Sequence, residues 1–141
     1  MKRAFRIFLA LALALTLAAC AAVSMPNPAG SYTSKRDVAE FLHVYGQLPQ
    51  NFITKEEAQA LGWPGGDLSK YAPGKSIGGD RFGNYEGALP TGKTYRECDI
   101  DSRGGRRGAK RIVYSEDGYI YYTEDHYECF DQLYPCGGRS T

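Results

Sequence analysis

The chain of 141 residues has little uncompensated charge, little histidine and little cysteine: 17 basic residues stand against 16 acidic ones, with two His and four Cys. The near balance excludes a whole-molecule attraction to polyanions, so any such site must be a local basic patch. The His, Cys, Asp and Glu residues show no spacing that groups them as metal ligands, and no metal or cofactor is expected. No apolar run reaches the roughly 20 residues of a membrane-spanning helix. The stretch Ile7 to Leu17 covers 11 residues and includes Thr16. Internal repeats are also absent.

That short run follows Met1-Lys2-Arg3-Ala4-Phe5-Arg6, a basic start, so residues 1–20 read as an export signal rather than part of a fold. Its removal takes Lys2, Arg3 and Arg6 from the 17 basic residues, leaving 14 against 16 acidic ones, about −2 overall. The signal ends Leu17-Ala18-Ala19-Cys20, which resembles the lipobox of bacterial lipoproteins. A lipid on Cys20 would then be the only membrane attachment of an otherwise secreted, extracellular protein. The alternative is ordinary cleavage among the small residues of Ala18 to Ala22 and a free secreted product. Residues 21–33, with Pro26, Pro28 and Gly30, read as a flexible tether able to reach about 40 Å.

The remaining 34–141 suits one domain, and a hydrophobic fraction of 43% with 13% aromatics suits a packed core. Ser34 can cap a helix whose apolar face is Val38, Phe41, Leu42 and Tyr45, ending at Gly46. Thr54 and Glu57 form a capping box for a short helix that stops at Gly62. Asp67 can cap a third short turn. Thr94 to Ile100 alternates, placing Tyr95, Glu97 and Asp99 on one face and Cys98 and Ile100 on the other. Arg111 to Tyr114 and Tyr119 to Thr123 read as two further strands joined by a turn at Glu116-Asp117-Gly118. Helices followed by strands imply an α+β domain, with helices on one face of an antiparallel sheet and the other face open for a site. Cys129 and Cys136 could staple the C-terminal tail, while Cys98 reads as a small buried hydrophobe.

Arg103, Arg106, Arg107, Lys110 and Arg111 form a basic run broken by glycines. Taken alone it is a solvated loop. Arg111, however, alternates with Ile112 as Glu97 does with Cys98. If the two strands are neighbours, Glu97 and Arg111 share the open face, where a guanidinium would favour the charged carboxylate; a purely structural cross-strand pair is the alternative. His126 follows the last strand and can exchange a proton near neutrality, whereas His43 sits between Leu42 and Val44 in a helix and reads as structural. A base, an acid and fixed cations suit metal-free cleavage of RNA. The base takes the 2′-hydroxyl proton, the oxygen attacks phosphorus in line, the acid protonates the departing 5′-oxygen, and cations stabilise the phosphorane.

Long stretches carry a resemblance: Leu48-Pro49 with Asn51, Ile53-Thr54-Lys55, Glu57 to Trp63, Ala72 to Asp80, and Asp125-His126-Tyr127. From about Ser34 to Leu133 the chain resembles the barnase/binase-type microbial guanyl-preferring ribonucleases. The resemblance implies the microbial ribonuclease fold and extracellular cleavage of single-stranded RNA to a 2′,3′-cyclic phosphate, then hydrolysis to a 3′-phosphate. It implies Glu97 as base and His126 as acid, with Lys55, Arg107 and Arg111 binding phosphate and the positive end of the Lys55 helix helping. Arg103, Arg106 and Lys110 keep the solvated reading. Tyr127 would position the phosphate or a base. Guanine selection falls on Gly83, Asn84, Tyr85 and Glu86: backbone N–H groups meet O6, Glu86 accepts from the base edge, and Asn84 shapes the loop. The bacterial branch has Ser-Asn-Arg-Glu where this chain has Gly83-Asn84-Tyr85-Glu86. Asn-Tyr-Glu-Gly resembles the fungal branch, which implies that Tyr85 stacks on guanine. A monomer and an intracellular barstar-like inhibitor are further implications. The competing reading is a catalytically inactive RNA- or nucleotide-binding surface module.

Overall fold

Ser34 and Gly46 bound the first helix as their chemistry requires. In α1 (Lys35–Tyr45) the Ser34 side chain accepts the Asp37 amide, and Gly46, at φ 70°, donates its N–H to the Leu42 carbonyl. The computed structural model that shows this describes residues 24–136. The export signal, Cys20, the start of the tether and the last five residues of 34–141 lie outside the described residues. Val38, Ala39, Phe41 and Leu42 of α1 are buried. The second helix, α2 (Lys55–Ala60), opens with both bonds of the Thr54–Glu57 capping box. Asp67 accepts the Ser69 amide at the third turn.

The strands are β1 (Phe52–Ile53), β2 (Ser76–Phe82), β3 (Tyr95–Asp99), β4 (Arg111–Ser115), β5 (Ile120–Thr123) and β6 (Asp131–Tyr134). They form one six-stranded sheet in chain order. Only β1 and β2 are parallel; every other pair is antiparallel. The fold is therefore α+β with a mostly antiparallel sheet.

The main core lies between α1 and one face of the sheet: Val38, Ala39 and Leu42 meet Cys98, Ile100, Ile112, Ile120 and Tyr122. A second, under α2, gathers Ala58, Trp63, Leu68, Ala72 and Ile77. The opposite sheet face is not fully open, in contrast to the expectation. Leu89, Tyr95, Val113 and Tyr121 pack there, with Phe82, Tyr127 and Phe130 partly buried against them. The site is left as the part of this face that the cluster does not cover.

Two more expectations change. From Ser24 on, the segment read as a tether is held to the domain. The buried Asn51 side chain accepts the Tyr32 amide at 3.0 Å and donates to the Tyr32 carbonyl at 2.9 Å, the Thr33 carbonyl accepts the Asp101 amide, and the Tyr45 hydroxyl donates to the Pro26 carbonyl. Cys129 and Cys136 are exposed free thiols. They flank β6, whose four extended residues alone span about 10 Å, whereas a disulfide needs Cα atoms within about 7 Å. Cys98 is buried as read, and His43 is exposed, stacked on Tyr134.

The close approach of β1, β2 and β3 requires Gly78. A Cβ there would lie 2.6 Å from the Cys98 Cβ and 2.6 Å from a Phe52 ring carbon. The next residue, Gly79, has φ 99° and sits at a bulge: Gly78 pairs with Cys98, but Asp80 pairs with Glu97. The extra residue turns Asp80 onto the Glu97 face. Gly78→Ala is expected to lower stability by about 1–3 kcal/mol, read from the urea midpoint, while Gly105→Ala, with nothing within 4 Å of its new Cβ, should leave the midpoint unchanged.

Candidate active site

Strand alternation brings Tyr95, Glu97 and Asp99 of β3 to one face, and the β3–β4 register sets Asp99 directly opposite Arg111. Asp99 is almost wholly buried, at 2% side-chain exposure. Arg107 donates to it with two bonds, Nε to Oδ2 at 2.8 Å and Nη2 to Oδ1 at 2.9 Å. Arg111, itself 4% exposed, places Nε 3.0 Å from Asp99 Oδ1. That contact is ionic rather than a directed hydrogen bond, since the Nε hydrogen points elsewhere and finds no acceptor. Its Nη1 donates to the Gly108 and Lys110 carbonyls, each at 2.8 Å. The hydrogen-bonded Asp99 carboxylate raises the pKa of Arg107 further, so its guanidinium remains a cation.

The arginine pairing expected at Glu97 thus belongs to Asp99. Glu97 shares the face with Arg111, but its own contacts are Lys55 and Tyr127. Lys55 Nζ stands 3.8 Å from Oε1. The Tyr127 hydroxyl donates to Oε2 at 2.5 Å. Burial, then the Glu97 carboxylate, push the Tyr127 pKa up, with Arg111 acting in the opposite direction. Tyr127 therefore stays protonated and keeps donating. Lys55 is at the first position of α2, as read, but the end of that helix is not open: the Lys55 amide donates to both oxygens of Asp80, at 3.1 and 3.3 Å.

His126 lies in the loop after β5, exposed, with its ring centroid 4.8 Å from that of Tyr127. His126 and Tyr127 have φ of 54° and 73°. Side chains rarely adopt this region, and each such residue costs on the order of 1–3 kcal/mol. Asp125 holds the loop in that shape. Its Oδ1 accepts the Thr123 hydroxyl and the Glu128 and Cys129 amides. The His126 amide also donates to the Ala109 carbonyl, which ties it to the loop anchored by Arg107 and Arg111.

Phe82, at the end of β2, stacks on Tyr127 at 5.2 Å and so seats the 83–87 loop beside His126. Asn84 shapes that loop as read: at φ 50°, its side chain donates to the Leu89 carbonyl and accepts the Leu89 amide. Tyr85 is 98% exposed. Its ring lies over Gly83, with ring carbons 2.2 and 2.3 Å and the hydroxyl oxygen 2.8 Å from where a Cβ would stand. Only glycine permits that approach. Gly83, Asn84, Tyr85 and Glu86 line one cleft of about 570 Å³ together with His126 and Tyr127.

Lys55, Glu97, Tyr127 and His126 thus form one continuous set, with Arg107 and Arg111 behind it on Asp99. Arg103 and Arg106 are exposed, and Lys110 makes only a surface pair with Asp101. Among the described residues no three His, Cys, Asp or Glu side chains are placed to share a metal ion. Asp80, Asp99 and Asp125 were not singled out by the sequence reading. Asp99 had a signal, since its alternation with Glu97 put it on the site face. Asp80 had none, because the bulge that turns it is invisible in the pattern.

A family model described as ribonuclease matches residues 35–134. A ribonuclease of Heyndrickxia coagulans is 53% identical over 100 residues, which are 68% of this chain and 92% of that protein. A ribonuclease of Bacillus intermedius is also 53% identical over 100 residues, 68% of this chain. The matched region spans 62% of the length of that relative and of its Bacillus pumilus counterpart. The guanyl-specific ribonuclease St of Saccharopolyspora erythraea is 44% identical over 55 residues, 37% of this chain and 54% of that protein. With the family model covering α1 through β6 and every residue of the assembled set, the chain belongs to the ribonuclease family.

Proposed function

We propose that the domain is an endoribonuclease that cleaves single-stranded RNA after guanosine, forming a 2′,3′-cyclic phosphate and then hydrolysing it to a 3′-phosphate. The observation that carries this reading is the joining of two half-sites through Tyr127. Its hydroxyl meets Glu97, and its ring meets both His126 and Phe82, the residue that leads into the 83–87 loop. Membership of the ribonuclease family and likeness to a guanyl-specific relative support it.

Glu97 takes the 2′-hydroxyl proton. The Tyr127 hydrogen bond orients the Oε2 side, and Lys55 faces Oε1. The 2′-oxygen attacks phosphorus, the P–O5′ bond breaks, and His126 gives its proton to the leaving oxygen. Arg107, Arg111 and Lys55 supply positive charge to the phosphorane oxygens. The two arginines are fixed in advance by Asp99, so little reorganisation is needed as charge develops. In the second step water replaces the 2′-oxygen, with the roles of Glu97 and His126 reversed. Guanine enters the cleft against the 83–87 loop, Glu86 accepts from its edge, and Tyr85 swings from Gly83 to stack on it.

Three measurements test these assignments, two of them on guanylyl-uridine (GpU) and the third by urea unfolding. Glu97→Ala and His126→Ala should each lower kcat by about 10²–10⁴-fold; a binding module would show no wild-type turnover to lose. Tyr85→Ala should raise KM by roughly 5- to 150-fold at nearly constant kcat, the equivalent of about 1–3 kcal/mol of stacking. Unchanged kinetics would leave Tyr85 a surface residue. Asp99→Asn removes the buried anion between the buried Arg111 and the half-buried Arg107 and should cost about 3–5 kcal/mol of stability in urea unfolding; a loss below about 1 kcal/mol would remove Asp99 from its central place.

A further inference from the structure

Thr123, the last residue of β5, is polar yet almost wholly buried, at 1% exposure. The sheet registers set it opposite Arg111, which is itself opposite Asp99. Asp99, Arg111 and Thr123 thus form one row across β3, β4 and β5, and their side chains share the site face. The Thr123 hydroxyl makes two directed bonds. It accepts the Tyr127 amide at 3.1 Å and donates to Asp125 Oδ1 at 2.9 Å. The same Asp125 oxygen accepts the Glu128 and Cys129 amides at 3.1 and 2.9 Å. The Cys129 amide, then the Thr123 hydroxyl, lower the Asp125 pKa, so the carboxylate remains a charged acceptor near neutral pH. By taking the hydroxyl hydrogen, Asp125 leaves an oxygen lone pair of Thr123 for the Tyr127 amide.

These bonds converge on the residue between them. Peptide units are planar, so only φ and ψ of His126 set where its Cβ points relative to its two neighbouring units. The unit before it is tied through the His126 amide to the Ala109 carbonyl at 3.2 Å. The unit after it is tied through the Tyr127 amide to Thr123. With both units held, His126 stays at φ 54°, a region that a residue with a side chain leaves unless its surroundings enforce it. The imidazole itself is exposed, so its aim comes mainly from this backbone rather than from packing around the ring. Tyr127 is held differently: its hydroxyl meets Glu97 and its ring stacks on Phe82. Loss of the Thr123 bond therefore frees His126 more than it frees Tyr127.

We propose that Thr123 and Asp125 are positioning residues for the proton transfer from His126 to the leaving 5′-oxygen. The inference rests on the ribonuclease reading and deepens it. Neither residue gives or takes a proton. Thr123 fixes the peptide that follows His126, and Asp125 fixes the Thr123 hydroxyl. The base is held by other means, on β3 and between Lys55 and Tyr127. Loosening Thr123 and Asp125 therefore impairs protonation of the leaving group and spares the attack of the 2′-oxygen.

The test compares two guanosine substrates that differ in leaving group. From GpU the uridine 5′-oxygen departs as an alkoxide unless His126 protonates it. From guanosine 3′-(4-nitrophenyl phosphate), 4-nitrophenolate departs as a stable anion, and the 2′-oxygen attack proceeds without the acid. Thr123→Val keeps the branched shape and loses the hydroxyl. It should lower kcat on GpU by about 10- to 100-fold with KM little changed, while the rate on the nitrophenyl ester changes by less than about 2-fold. Thr123→Ser, which keeps the hydroxyl, should restore the GpU rate. Asp125→Ala should show the same selective loss, and Asp125→Asn, which keeps an oxygen acceptor, should restore it; this pair decides alone if Thr123→Val does not fold. His126→Ala marks the full effect of losing the acid on the ratio of the two rates. An equal loss on both substrates would make the two residues structural only and overturn the inference, as would an unchanged GpU rate in Thr123→Val and Asp125→Ala. Wild-type protein that cleaves neither substrate would overturn the ribonuclease reading, and the inference with it.

Discussion

The site depends on one buried carboxylate. Asp99 sits between two arginines, one buried and one half-buried, that would otherwise lack a counter-charge. A buried ion pair gives little net stability, but removing one partner is severe. The consequence is geometric. Arg107 and Arg111 fasten the 100–110 loop to β3 and β4, and the Ala109 carbonyl of that loop holds the His126 backbone. The cations and the proposed acid are thereby fixed to the same frame as Glu97, two residues along β3.

A second constraint works on the other flank. The Gly78-Gly79 bulge shifts the β2 register by one residue, so Asp80 faces Glu97. There it accepts the first amide of α2 and fixes where Lys55 begins. Thr54 and Glu57 close the same helix end from the other side. A six-residue helix is too short to hold itself. It is held by its cap, by Asp80 and by the packing of Ala58 against Trp63 and Ile77. Lys55 therefore approaches Glu97 from a fixed base.

Much of this was legible in the sequence, and the failures have physical causes. α1, the capping box, the β4–β5 turn and β3 to β5 were readable because local chemistry and burial agree there. β2 was not, because its glycines, which serve close packing and the bulge, erase the strand signal. β1 has two residues and exists only through its parallel partner; β6 is a half-buried edge strand. At the site, alternation placed Glu97 and Arg111 on one face but could not say which acid holds the arginine. Two acids, Glu97 and Asp99, share that face, and only the register puts Asp99 opposite Arg111. The roles of Glu97, His126 and the 83–87 loop came from resemblance, and the structure brings those residues around Tyr127. The read tether failed because Asn51, 19 residues away from Tyr32, supplies the bonds that hold it.

Family membership makes an RNA-cleaving reaction the natural reading of this arrangement. The central claim is finer: an intramolecular attack by the 2′-hydroxyl, directed by a guanine-selective cleft. The most direct test is to follow the products of wild-type protein on GpU and ApU by chromatography through the first turnover. The account predicts guanosine 2′,3′-cyclic phosphate appearing before guanosine 3′-phosphate, with GpU consumed far faster than ApU. Direct appearance of guanosine 3′-phosphate without the cyclic intermediate, or equal rates on the two dinucleotides, would contradict it.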